Sequence, residues 1–140
     1  MSAKTIEELA HEMGVLADQV AAIERRADSE DNSWDSVLAL TTARLALSRV
    51  SRAHAKATFL ACTNGVNYLI PETAERVAAY KVLGRAVNAR AEIKNGFNGG
   101  HYPSFVLEIA ETQVHNAMAA VYHLRTLECT AEKARRGESA

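Results

Sequence analysis

The stretch IEELAHEMGVLADQVAAI, residues 6–23, decides the fold class. Its larger apolar residues Ile6, Leu9, Met13, Leu16, Val20 and Ile23 are spaced three and four in turn. That 3.5-residue repeat gathers them into one seam along an α-helix, whereas a strand would throw them to both faces. Ala10 and Ala17 occupy flanking positions and predict close approach of a second helix. Just upstream, Thr5 and Glu8 have the spacing of a capping box, so the helix is expected over 5–26.

Three further helices follow. A polar run, Ala27 to Ser33, ends in Asn32 and Ser33, either of which can cap the next helix, with Asp35 in its first turn. That second helix is expected over 34–63, with Asn64-Gly65 as a left-handed stop. Its apolar face is broad (Val37, Leu38, Leu40, Leu45, Leu47, Val50, Phe59, Leu60), which implies more than one neighbour. At 1.5 Å per residue it would be about 45 Å long. A spherical domain of this chain length has a radius of gyration of only about 14 Å. The domain is therefore expected to be elongated, or to project onto another subunit.

Pro71 is expected to open the third helix, 71–94, where Val77, Tyr80, Gly84, Val87 and Ala91 step by three and four. Gly84 weakens a helix interior, so close approach of another helix is its expected reason. A glycine-rich loop, residues 95–102, leads to a fourth helix, 103–132. Its seam is Leu107, Ala110, Val114, Ala117, Val121 and Leu124, and 133–140 is expected to fray. The expectation is one all-α, elongated, four-helix bundle-like domain spanning 1–140. The surplus of apolar helix face makes it homodimeric, with the seam Ile6–Ile23 serving either helix packing or the dimer.

Composition agrees. Of 140 residues 48% are apolar, and 26 are alanine, the best helix former, against two prolines and seven glycines. The net charge of −1 selects no anionic partner, but its distribution is uneven. Residues 1–35 hold nine acids and three bases, net −6, while residues 36–65 hold four bases and no acid. Either the first helix lies against the second, or the two-signed surface steers a partner. Cys62 and Cys129 have no metal-type spacing and read as small buried hydrophobes. Neither a signal peptide nor a membrane span is expected, and a reducing cytoplasm is the default.

Several side-chain groups bear on chemistry. Arg44, Ser48, Arg52 and Lys56 step by four along the second helix with Arg49 beside them, a basic ridge suited to an acidic partner surface or a phosphate backbone. No aromatic residue interleaves with it for base stacking, so a protein partner ranks above nucleic acid. Glu108, Glu111 and His115 share a face of the fourth helix, but Glu-x-x-x-His occurs once, whereas di-iron bundles use Glu-x-x-His twice. Neither a metal nor another cofactor is expected. Phe97, His101 and Tyr102 can form a binding tip in the glycine-rich loop. Trp34 can be a half-exposed anchor. No nucleophile–base array can be placed from spacing alone, and a non-enzymatic function is expected.

Two resemblances extend this reading. Arg49-x4-His54 is similar to the R-x4-6-H signature of HEPN ribonucleases, a helical, usually dimeric family. It departs from that family's pattern in having Val50 where a polar residue is favoured. By that resemblance Arg49 and His54 would meet their symmetry mates and cleave RNA. As a small, alanine-rich, all-helical chain, the protein also resembles in type the accessory proteins of phages and mobile elements, the anti-CRISPR inhibitors among them. This likeness implies a protein that blocks a CRISPR effector complex or nuclease by occupying its surface.

Overall fold

A computed structural model describes residues 3–29, 34–66, 68–96 and 102–137. These form four helices, α1 (Ile6–Ser29), α2 (Trp34–Thr63), α3 (Ala74–Lys94) and α4 (Ser104–Arg135). The expected caps are present at two ends. At the start of α1, Glu8 N donates to Thr5 Oγ1 at 3.1 Å and Thr5 N donates to Glu8 Oε1 at 3.3 Å, a reciprocal capping box. At the end of α2, Asn64 and Gly65 adopt φ of 51° and 79°, the left-handed turn that stops the helix. Three boundaries differ from the sequence reading, and the first is that α1 runs on to Ser29 where a polar loop was expected from Ala27. Helix α3 starts at Ala74, not Pro71, because Thr73 Oγ1 accepts from Arg76 N at 3.1 Å and caps it. Helix α4 runs on to Arg135, where Arg135 and Arg136 both bind Glu132. The expected cap at Asn32 or Ser33 lies outside the described residues.

The helices pack in the order α1, α2, α4, α3. Among the described residues α1 packs only on α2, and α3 only on α4, while α2 and α4 form the largest contact. Thr42 meets Glu108 near one end of the central pair, and Cys62 meets Thr130 near the other, so α2 and α4 run parallel. Arg76 meets Glu128, and Ala86 packs with Val114 and Ala117, so α3 runs antiparallel to α4. The broad apolar face of α2 serves two neighbours, as its breadth implied. All six α1 seam residues, Ile6, Leu9, Met13, Leu16, Val20 and Ile23, are buried or half-buried against that single neighbour. Ala10 and Ala17 are exposed.

Small polar residues line the central contact without loss of hydrogen bonds. Thr41, Ser48 and Thr63 are buried and each donates its hydroxyl to a carbonyl of its own helix. Lys133 is buried as well, and its Nζ donates to Cys62 O at 2.6 Å. It thus satisfies a carbonyl in the last turn of α2 and places a cation at the negative end of that helix. The expected frayed tail therefore begins with a fixed residue.

Helix α3 does not use the expected stripe. It turns Leu83 and Ala86 toward Val114, Ala117 and Met118 of α4. Tyr80 and Val87 are exposed, and a Cβ on Gly84 would meet nothing within 4 Å. The rotation of α3 is fixed by Arg76, one heptad before Leu83. Its guanidinium binds Glu128 at 2.8 Å and also donates to Ile70 O and Pro71 O, with little of either side chain exposed. An arrangement with two helices at its margins leaves much surface open. The chain exposes 9069 Å². A globular monomer of 15.2 kDa exposes about 7100 Å².

Candidate interaction surface

The basic ridge of α2 is divided between α1, α4 and solvent. Arg44 turns to α1, where Nη2 lies 3.3 Å from Glu24 Oε1, so part of the charge asymmetry is intramolecular complementarity. Ser48 is buried. Arg49 reaches α4, with Nη2 3.4 Å from Glu111 Oε2. Arg52 also reaches α4, with Nη1 3.2 Å from His115 Nδ1. Lys56 is exposed. The structure thus brings Arg49 and Arg52 together with Glu111 and His115, and sends Arg44 elsewhere.

The chemistry of this cluster follows from the Arg52–His115 contact. A guanidinium only donates, so His115 Nδ1 must accept and the ring proton must sit on Nε2. Burial lowers the His115 pKa most, the Arg52 and Arg49 charges lower it further, Glu111 opposes them, and Arg90 adds the smallest lowering effect. His115 is therefore held neutral. Arg90 brings a third helix, α3, to the same group, a contribution sequence reading missed because it lies 41 residues from Arg49. Arg49 and Arg52 against Glu111 and a neutral imidazole leave the cluster at +1. Arg49 is well exposed, so its pair with Glu111 is worth little and can be exchanged for another anion.

The other candidates are placed as follows. Glu108 accepts from Thr42 at 3.4 Å, so all three members of the Glu108, Glu111, His115 group are engaged by α2. Among the described residues no three His, Cys, Asp or Glu lie close enough to hold a metal. Arg49 and His54, five residues apart, leave α2 about 140° apart around the helix axis. His54 Nδ1 is buried without a hydrogen-bond partner. Cys129 is buried, which raises its thiol pKa, and half-buried Cys62 lies 3.1 Å from Thr130 Oγ1. Trp34 packs edge-on against Phe105 at 4.9 Å between centroids and remains more than half exposed. Tyr102 is exposed, while Phe97 and His101 lie outside the described residues. No helix among the described residues is long and apolar enough to cross a membrane.

These features define an all-helical chain with a basic cluster at the junction of α2 and α4. The sequence matches no protein-family model and no curated protein, and the fold matches no solved structure.

Proposed function

We propose that this chain is a non-enzymatic protein-binding module, homodimeric and cytoplasmic, whose basic face docks on an acidic surface of a partner. The observation that supports this most is the cluster itself: Arg49 pairs with Glu111, Arg52 contacts His115, and His115 stays neutral beside them. Such a cluster favours an incoming carboxylate or phosphate, and Lys56 extends it along α2. Burial of guanidinium groups at interfaces is a common source of binding energy. The resemblance to phage inhibitors supplies the partner class, a CRISPR effector complex or nuclease.

The test is capture of partners from host lysate with the tagged full chain, with and without nuclease treatment. A discrete protein should survive nuclease and should be lost with Arg52→Glu, a variant that keeps its helical circular dichroism. Recovery of nucleic acid alone, abolished by nuclease, would replace this reading with nucleic-acid binding through the same arginines. RNA cleavage abolished by His54→Ala would replace it with the ribonuclease reading.

A further inference from the structure

Helix α4 carries a second heptad stripe that its inner seam conceals. Ile109, Gln113, Asn116, Ala120, His123 and Leu127 are spaced four, three, four, three and four, and every one of them is exposed. The stripe spans about 27 Å of helix. Its outer positions match in both directions: reversed, Ile109 falls on Leu127, apolar on apolar, and Gln113 on His123, polar on polar, while Asn116 and Ala120 exchange at the centre. That is the chemistry an isologous contact needs, because a two-fold axis places each residue opposite its counterpart in the reversed copy.

We infer that a second copy of this chain covers this stripe, with the two α4 helices antiparallel about an axis level with residue 118. The pairing would close both ends with Ile109 against Leu127. The Gln113 amide would meet the His123 imidazole, and the small residues Asn116 and Ala120 would let the axes approach. The adjoining groove between α3 and α4, about 620 Å³, is floored by Ala86, Ala89, Ala117 and Ala120 and admits the partner's larger side chains. Exposed Val82 stands on its rim. The chain as a whole exposes about 2000 Å² more than a globular monomer of its mass, while a standard interface takes about 800 Å² from each partner.

The inference rests on the homodimer reading above and adds the face and the register. Sedimentation equilibrium of the full chain over a concentration series should give twice 15.2 kDa. Two double variants then test the register, Ile109→Glu with Leu127→Glu, and Ile109→Glu with Leu127→Lys. Both remove the same apolar ends from exposed positions, so both should melt as the wild-type chain does when measured as monomers. Antiparallel pairing sets Glu against Glu in the first and Glu against Lys in the second. The second should therefore dimerise at least about tenfold more tightly. A monomeric wild type would overturn the homodimer reading and this inference together. A wild-type dimer that neither double variant weakens would overturn the face alone. Equal weakening of the two would overturn the antiparallel register.

Discussion

The two sides of α4 follow opposite rules. Toward α2 and α3, its seam residues Ala110, Val114 and Ala117 are buried, and its polar groups Glu108, Glu111, His115, Glu128 and Lys133 each have a partner on another element. On the far side Ile109 and Leu127 are exposed alongside Gln113, Asn116 and His123. The inner side is stabilised by burial and by satisfied charge, so a change there must register in the stability of the single chain. The outer side contributes almost nothing to the fold, so a change there must register only in association. Stability measurements can therefore separate what holds the chain together from what it offers to others.

The sharpest break should come at Arg76. Arg76→Ala removes the main partner of Glu128 and the donor to Ile70 O and Pro71 O, leaving a mostly buried carboxylate with Thr73 Oγ1 at 3.5 Å and Arg125 at 3.9 Å. A loss of about 3 kcal/mol in denaturant unfolding is expected. Next is Val114→Ala, which empties space at a position only 1% exposed and should cost about 2 kcal/mol. Its counterpart Leu127→Ala, on the outer side, should change monomer stability by less than about 0.5 kcal/mol. If the two alanine variants destabilise the monomer equally, the division between the sides is wrong.

Gly84→Ala sharpens the same contrast on α3. The sequence invites the reading that Gly84 admits a neighbouring helix, but the site is open to solvent. A methyl group there meets nothing and restores helix propensity, so the variant should gain up to about 1 kcal/mol in urea unfolding. A destabilised Gly84→Ala chain would mean that a helix does approach that position.

Legibility in the sequence follows the range of the interactions. The α1 seam, the Thr5–Glu8 capping box and the Asn64-Gly65 stop were readable because each is closed within a few residues. The order α1, α2, α4, α3 was not, because periodicity shows that a helix has an apolar side without showing what covers it. Helix α3 is the instructive case: its stripe Val77–Ala91 looked like a seam, yet the Arg76–Glu128 pair, 52 residues apart, turns Leu83 and Ala86 inward instead. Arg49, Arg52 and Lys56 were picked out from their own helix. The sequence put Glu111 and His115 on one face of α4, and their junction with Arg49 and Arg52 needed the tertiary fold. The outer stripe of α4 was hidden because half of its members are polar.

The smallest expected effect is also the most local test of the cluster. The folded chain holds the His115 pKa below its unfolded value, first by burial and then by the arginines. Near the unfolded pKa and below it, the unfolded chain binds more protons than the folded one. The stability contributed by a neutral His115 is therefore complete above the unfolded value, about 6.5, and is lost as pH falls through the lower folded value. Protonation also ends the Arg52 contact, since both groups are then donors. Thermal melts should show a gentle decline from neutral pH downward, and His115→Gln should remove it. Gln keeps an acceptor for Arg52 and cannot titrate, so a His115→Gln chain with an unchanged decline would assign that pH dependence to another group. A second loss belongs further down, as pH falls through the ordinary carboxylate range toward the Glu132 value of about 2, which its hydrogen bonds to Arg135 and Arg136 depress, and solvent around those arginines keeps it small. The two declines are resolved because one involves an imidazole between helices and the other a carboxylate at the end of α4.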